Sequence, residues 1–257
     1  MAADRLEPLR RLARLVPGGM ALGRHLRVLL DPELRTIHRL KRGAPGLLQP
    51  WTETREDRYP EVFDALAERL AGLAAPRILS FGCSTGAELR ALRRRMPQAR
   101  ITGIDINPRA LAAARKAGAD PLTRLVLADR PDPAERYDAV LALAVLRHGD
   151  LEAFRPASSA AVLPFARFAG TVALLDGVLE PGGWLAIWNA HFRFADTPTA
   201  LNYTADPLRQ ANATPQDLLY GPDDRRIVGA APYADVLFRK RPGGDTPWPL
   251  DAARPLA

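Results

Sequence analysis

The sequence predicts an α/β fold: a mostly parallel sheet with helices on both faces, preceded by a helical segment. Three observations predict it. Between residues 76 and 190, short apolar runs alternate with amphipathic stretches of helical period. Those short runs are near-continuously apolar, as strands buried on both faces are. Residues 1–75 carry helical spacing and no convincing strand pattern.

In the leading region, Leu6, Leu9, Ala13 and Val16 recur at helical spacing before Pro17-Gly18-Gly19 breaks it. A second helix is predicted over about 31–42, and Gly43 to Pro50 reads as a linker. The next helix has Pro60 in its first turn, an apolar stripe of Phe63, Leu66, Leu70 and Leu73, and Pro76 beyond its end. Strand runs follow at Arg77–Phe81, Arg100–Asp105, Leu122–Ala128, Tyr137–Leu143 and Trp184–Asn189. Between the first two lies a helix with Leu89, Leu92 and Met96 on one face and arginines on the other. Asn107 caps the following helix, Pro108 opens it and Gly118 closes it. A long helix with Phe165, Phe168, Val172, Leu175 and Leu179 on one face runs to Pro181-Gly182-Gly183. Ala200 to Thr204 is a possible strand, and Ala234 to Arg239 alternates as a strand does. The expected regions are therefore 1–75, a helical segment; 76–241, the α/β domain; and 242–257, a flexible tail rich in Pro and Gly.

Composition narrows the function. Cys83 is the single cysteine, so an internal disulfide is excluded, and a reducing compartment fits. No apolar run approaches the roughly 20 residues of a bilayer span. Arginines interrupt every apolar stretch before residue 28, so no signal peptide is read and a cytoplasmic location is expected. The net charge is +7, yet all but three of the 36 basic residues are arginine, which reads as compositional bias. Residues 1–45 carry most of the excess. That segment could meet a polyanion or an anionic membrane. Without dense basic runs or interleaved aromatics, a solvated helix face is favoured and no nucleic-acid partner is expected.

The chemistry centres on Gly82-Cys83-Ser84-Thr85-Gly86, a glycine turn between strand and helix. The bare pattern has three readings. A hydrolase nucleophile elbow matches literally at Ser84, but it would follow the first strand with only helical sequence upstream. A dinucleotide fingerprint fits Gly82 and Ala87, but Ser84 stands where a glycine lets pyrophosphate approach. An adenosylmethionine turn has no pyrophosphate to cradle and tolerates serine there. Asp105, 19 residues beyond Gly86 at the end of the second strand, then suits ribose hydroxyls. Ile106 would offer adenine an apolar face.

The ordered stretches ILSFGCSTG, ITGIDINP, LVLAD, YDAVLALAVLRH and LEPGGWLAIW resemble the class I S-adenosylmethionine-dependent methyltransferase family over residues 77–190. The resemblance implies a Rossmann-like, seven-stranded sheet whose last strand, suited by Ala234–Lys240, is antiparallel. It implies that Gly82, Cys83, Ser84 and Gly86 form the cofactor turn, with Cys83 setting backbone spacing. Asp105 would bind ribose, Asp129 the adenine amino group, and Leu143 would lie under the cofactor. One departure is Ser80, where many members carry an acid. Glu88 could compensate, or serve only as a favourable charge at a helix start.

Outside the turn, His148 follows the fourth strand and is the candidate proton acceptor, with a surface histidine the alternative. His191 is a second candidate. Trp51, Arg58 and Tyr59 could form a lid over the cofactor or merely anchor the helical segment. No metal-ligand spacing occurs. The expected function is methyl transfer from S-adenosylmethionine to an O or N atom of a small-molecule acceptor. The alternatives are a chemotaxis-receptor-like glutamate methyltransferase and a non-catalytic cofactor-binding module. Oligomeric state is not legible.

Overall fold

The computed structural model describes residues 30–43, 47–51, 54–118, 120–208, 218–229 and 235–243. The helix expected at Leu6–Val16 and most of the expected tail lie outside them. The chain divides into two compact units, Met1–Pro45 and Gly46–Ala257. In the first, α1 (Pro32–Gly43) begins where Asp31 Oδ1 accepts the amides of Glu33 and Leu34 at 2.8 and 3.2 Å, a side-chain cap.

The second unit opens with α2 (Pro60–Arg69). The boundary between units falls earlier than residue 75 because α2 buries Val62, Phe63 and Leu66 in the same apolar cluster as β1 (Arg77–Phe81). The expected stripe also included Leu73, but the helix stops at Arg69 and Leu73 is 43% exposed. There follow α3 (Ala87–Arg95), β2 (Arg100–Asp105), α4 (Pro108–Ala117), β3 (Thr123–Leu127) and β4 (Tyr137–Leu143). Beyond them come α5 (Gly149–Phe154), α6 (Phe165–Gly177), β5 (Leu179–Trp188), β6 (Tyr203–Ala205), the β7–β8 hairpin (Leu219–Tyr220 and Arg226–Ile227) and β9 (Leu237–Lys240).

The main sheet has seven strands in the order β3-β2-β1-β4-β5-β9-β6. Strands β1 to β5 pair in parallel, while β9 runs antiparallel to both β5 and β6. The order reverses between β1 and β4, and open parallel sheets bind ligands at such a switch point, beyond the strands' carboxyl ends. Alternate residues of each strand serve opposite faces. Leu79, Val140, Leu185 and Ile187 join Phe168, Val172 and Leu175 of α6 on one face. Ile78, Ala139, Leu141 and Ala186 join α2, α3 and Leu111 of α4 on the other.

Several boundaries differ from the sequence reading. The long helix ends at Gly177, and β5 starts at Leu179 rather than Trp184. Pro181-Gly182-Gly183 is therefore an irregularity inside the strand: Tyr137 pairs with Leu179, and Ala139 with Trp184. A Cβ at Gly183 would lie 2.8 Å from the Glu180 carbonyl oxygen, so this close fold needs glycine. Only short 3₁₀ turns, Phe194–Asp196 and Pro198–Asn202, separate β5 from β6. Lys240 ties the antiparallel edge to α6, its Nζ donating to the Asp176 and Leu179 carbonyl oxygens at 3.0 and 3.2 Å. Among the described residues no helix is long and apolar enough to cross a membrane.

Candidate active site

The turn after β1 is built by backbone bonds and positive φ. The amides of Gly82 and Cys83 both donate to the Ile104 carbonyl oxygen, at 2.8 and 3.0 Å. Gly82 and Gly86 sit at φ +77°, and Ser84 at φ +50°. The Asp105 carboxylate holds Ser84 in place, accepting its amide at Oδ2 and that of Asn107 at Oδ1, both at 2.7 Å. Burial raises the Asp105 pKa, and the amides of Asn107, Ser84 and Ile106 oppose the rise.

These groups line a cleft enclosing about 680 Å³, part of it open to solvent. Its floor comes from Gly82, Cys83 and Ser84 after β1, Asp105 and Asn107 after β2, and Leu143, Ala144 and Val145 after β4. Ala144 (φ +60°) and Asn189 (φ +56°) follow β4 and β5 in left-handed backbone. Non-glycine residues so held cost about 1–3 kcal/mol each and gather at functional sites. Glu88, at the start of α3, lines the cleft and accepts the Ser80 hydroxyl at 2.7 Å. Burial pushes its pKa up to about 7.

Residues 49–51 and 54–59, the strap, supply the remaining lining together with Phe63 of α2. The strap is tied at three places. Trp51 packs on Gly149, where a Cβ would lie 2.5 Å from the indole. Glu56 pairs with Arg90 and Arg94 of α3. The Tyr59 hydroxyl accepts from Asn189 Nδ2 at 3.4 Å, and Arg147 donates to both Asn189 and Glu152.

Of the residues assigned to the cofactor from sequence, Gly82, Cys83, Ser84, Asp105 and Leu143 line this cleft. Gly86 closes the turn at the start of α3. Cys83 contributes backbone only: its side chain is buried among apolar residues, and burial drives its thiol pKa upward, so it remains a neutral thiol. Ile106 and Asp129 follow β2 and β3 at the same sheet edge but are outside the lining, and Asp129 pairs with Arg130 at 3.0 Å. His148 corrects the sequence reading: it is buried, and its Nδ1 caps α5 by accepting the Asp150 amide at 3.1 Å. It does not line the cleft. Nor does His191, which is 1% exposed with ring nitrogens 3.4 and 3.3 Å from the Leu218 and His148 carbonyl oxygens. Asn107, Val145 and Arg55 are lining residues that the sequence reading missed. Asn107 is legible only as a helix cap, which it also is. No group of three or more potential metal ligands occurs among the described residues.

Residues 79–164 match the protein family described as Methyltransferase domain. Over that third of the chain it is similar to a methyltransferase domain. Its glycine turn and the strand ends β1, β2 and β4 all lie in the matched span. The chain is 40% identical over 131 residues to the biotin biosynthesis bifunctional protein of Bordetella avium, covering 48% of this chain and 24% of that one. It is 27% identical over 176 residues to the 4-amino-L-phenylalanine/4-methylamino-L-phenylalanine methyltransferase of Streptomyces pristinaespiralis, covering 63% and 60%. The amino pentose methyltransferase of calicheamicin biosynthesis from Micromonospora echinaspora, solved with its S-adenosylmethionine, is 26% identical, with 62% and 59% coverage and a TM-score of 0.41. The matches thus span 24% and 60% of these two curated relatives' lengths.

Proposed function

We propose that this methyltransferase domain uses S-adenosylmethionine to methylate an oxygen or nitrogen atom of a small-molecule acceptor. The observation that carries the reading is Asp105 at the end of β2, facing the left-handed turn after β1 across one cleft. The residues suit the donor. An ionised carboxylate offers about four lone-pair sites, and Asp105 keeps capacity for a ribose diol beyond its bonds to backbone amides. Glu88 offers carboxyl oxygen to an ammonium, in place of the acid missing at Ser80, and a bound cation would favour its ionised form. Leu143 offers apolar surface, and Gly82 and Ser84 bring backbone close.

S-adenosylmethionine supplies an electrophilic methyl group when bound. The chain's own residues then orient and dry the acceptor. Trp51 and Tyr59 of the strap exclude water over the cleft. Alignment alone is worth roughly 7–11 kcal/mol, so no obligatory acid–base pair is required. In this reading the donor domain is 76–241, with α2 and the strap added to its working surface. A small acceptor is supported by the Streptomyces relative, which is named for methylating an amino acid. A cytoplasmic location is part of the same proposal, and the buried, unpaired Cys83 fits it.

Transfer of tritium from methyl-labelled S-adenosylmethionine to a panel of phenols, amines and carboxylates tests the reading. Label in an acceptor product with the wild type, and none with Asp105→Ala, supports it. Tight donor binding without transfer to any member would favour a non-catalytic cofactor-binding module.

A further inference from the structure

The side-chain amide of Asn189 stands between two groups of opposite demand. Arg147, just beyond β4, donates to its Oδ1, and Arg147 also donates to Glu152 of α5. A guanidinium has donors and no acceptor, so the atom facing it must be the amide oxygen. The amide nitrogen then faces the Tyr59 hydroxyl, at 3.4 Å. The bond is long, but its sense is fixed: Nδ2 donates and the phenol oxygen accepts. Backbone bonds keep the two strand ends in step. Ala144 N donates to the Trp188 carbonyl oxygen at 2.9 Å, and His191 N to that of Leu146 at 3.2 Å. Asn189 sits in left-handed backbone at φ +56°, a conformation that asparagine and aspartate adopt more readily than most residues.

This polarity leaves the phenol proton of Tyr59 to be donated elsewhere. Tyr59 is 8% exposed and lines the cleft. Among the described residues its hydroxyl has Asn189 as its hydrogen-bond partner and no acceptor for that proton. A buried donor without an acceptor is costly, and the cleft is where an acceptor atom can arrive. We propose that Asn189 is a positioning residue: held by Arg147, it fixes Tyr59 as a hydrogen-bond donor to an oxygen or nitrogen lone pair of the molecule bound in the cleft. The proposal rests on the methyl-donor reading, and that lone pair belongs either to the donor or to the small acceptor.

Three substitutions test it. Asn189→Asp keeps the left-handed backbone and the pair with Arg147, but puts an oxygen beside Tyr59 and turns the phenol proton away from the cleft. Asn189→Gly keeps the backbone, removes the amide and leaves that proton free for the cleft. Tyr59→Phe removes the proton. If Asn189 only braced the fold, glycine would be the more damaging replacement; if it sets polarity, aspartate is. Affinity for S-adenosylhomocysteine by calorimetry reads the donor. The KM of a panel compound that takes label from methyl-labelled S-adenosylmethionine reads the acceptor. In one of the two, Asn189→Asp loses about three- to ten-fold, as Tyr59→Phe does, Asn189→Gly loses less, and Asn189→Asp adds nothing to Tyr59→Phe. A loss of affinity assigns the lone pair to the donor, and a raised KM with affinity intact assigns it to the acceptor. The proposal is overturned if Asn189→Asp matches wild type in both, if Asn189→Gly is the more damaged, or if Asn189→Asp costs Tyr59→Phe as much as it costs wild type. Ligand-free protein with ring-labelled tyrosine gives an independent reading. The Tyr59 Cζ resonance, assigned by its absence in Tyr59→Phe, moves downfield in Asn189→Asp as the phenol donates to the carboxylate, and does not in Asn189→Gly. Failure of the wild type to bind S-adenosylhomocysteine would sink the donor reading, and this spectrum alone would then decide on Asn189, an unmoved resonance overturning its role.

Discussion

The carboxylate of Asp105 accepts the amide of Ser84 at 2.7 Å, so the acid expected at the donor's ribose also holds the glycine turn in shape. Replacing it therefore has two effects. Asp105→Ala leaves the Ser84 and Asn107 amides without this partner, which costs about 1–3 kcal/mol per buried group left unsatisfied. The melting temperature falls by several degrees, and affinity for S-adenosylhomocysteine falls at least ten-fold. Asp105→Asn keeps one carbonyl oxygen and recovers part of the stability but little of the affinity. Calorimetry on both variants separates the two roles; equal recovery of both quantities would contradict them.

Gly82 tests the turn from the steric side. At φ +77° a Cβ would lie 2.5 Å from Val145 Cγ2 and 2.8 Å from its Cβ. Gly82→Ala combines backbone strain of about 1–2 kcal/mol with overpacking of about 1–3 kcal/mol. Adding Val145→Ala relieves the second and leaves the first. Denaturant titration of the single and double variants checks this, and full recovery in the double variant would show that the backbone is unstrained.

Glu88 gives stability a pH dependence of defined sign. Its folded pKa of about 7 lies above the ordinary 4.5, with burial the cause. A raised carboxyl pKa means the folded chain holds the proton longer than the unfolded one. The stabilisation is fully present below pH 4.5 and is lost as pH rises through about 7. Glu88 keeps some solvent contact, so the change amounts to about 1–3 kcal/mol. Glu88→Gln removes this slope, and the difference between the two stability–pH curves isolates it from Asp105, which is raised in the same direction. Parallel curves from pH 4 to 8 would contradict the assignment.

Much of this arrangement is legible in sequence because it is local. Strands β1, β2 and β4 carry near-continuous apolar runs, and Asn107 caps α4 by accepting the amides of Arg109 and Ala110 at 3.0 and 3.3 Å. The glycine turn needs its glycines for φ, which a sequence pattern preserves. Three features are not local. Pro181-Gly182-Gly183 reads as a turn, yet pairing with β4 draws it into β5. His148 follows a strand end where acceptors approach, but its ring turns back to cap α5, a choice set by χ angles rather than spacing. The ties of the strap depend on Arg90, Arg94 and Arg95 of α3, which pair with Glu56 and Asp57.

Gly149 reports on the strap. A Cβ there would reach the Trp51 indole at 2.5 Å, and the solvent side of Trp51, which is 43% exposed, is where a displaced indole would go. Gly149→Ala therefore shifts the Trp51 contribution to fluorescence toward that of a solvated indole, with Trp51→Phe as the reference. It weakens S-adenosylhomocysteine binding a few-fold. An unchanged spectrum would place Trp51 elsewhere.

The central claim is that the turn after β1 and Asp105 form a methyl-donor site. The most direct measurement is the melting temperature of the wild type with saturating S-adenosylhomocysteine and, separately, with NAD⁺ and NADH. Ligand at about 100 times its dissociation constant stabilises the folded chain by roughly 2.7 kcal/mol, a rise of several degrees. The account predicts that rise with S-adenosylhomocysteine, its loss in Asp105→Ala, and none with the dinucleotides. A rise with NAD⁺ or NADH alone would contradict it.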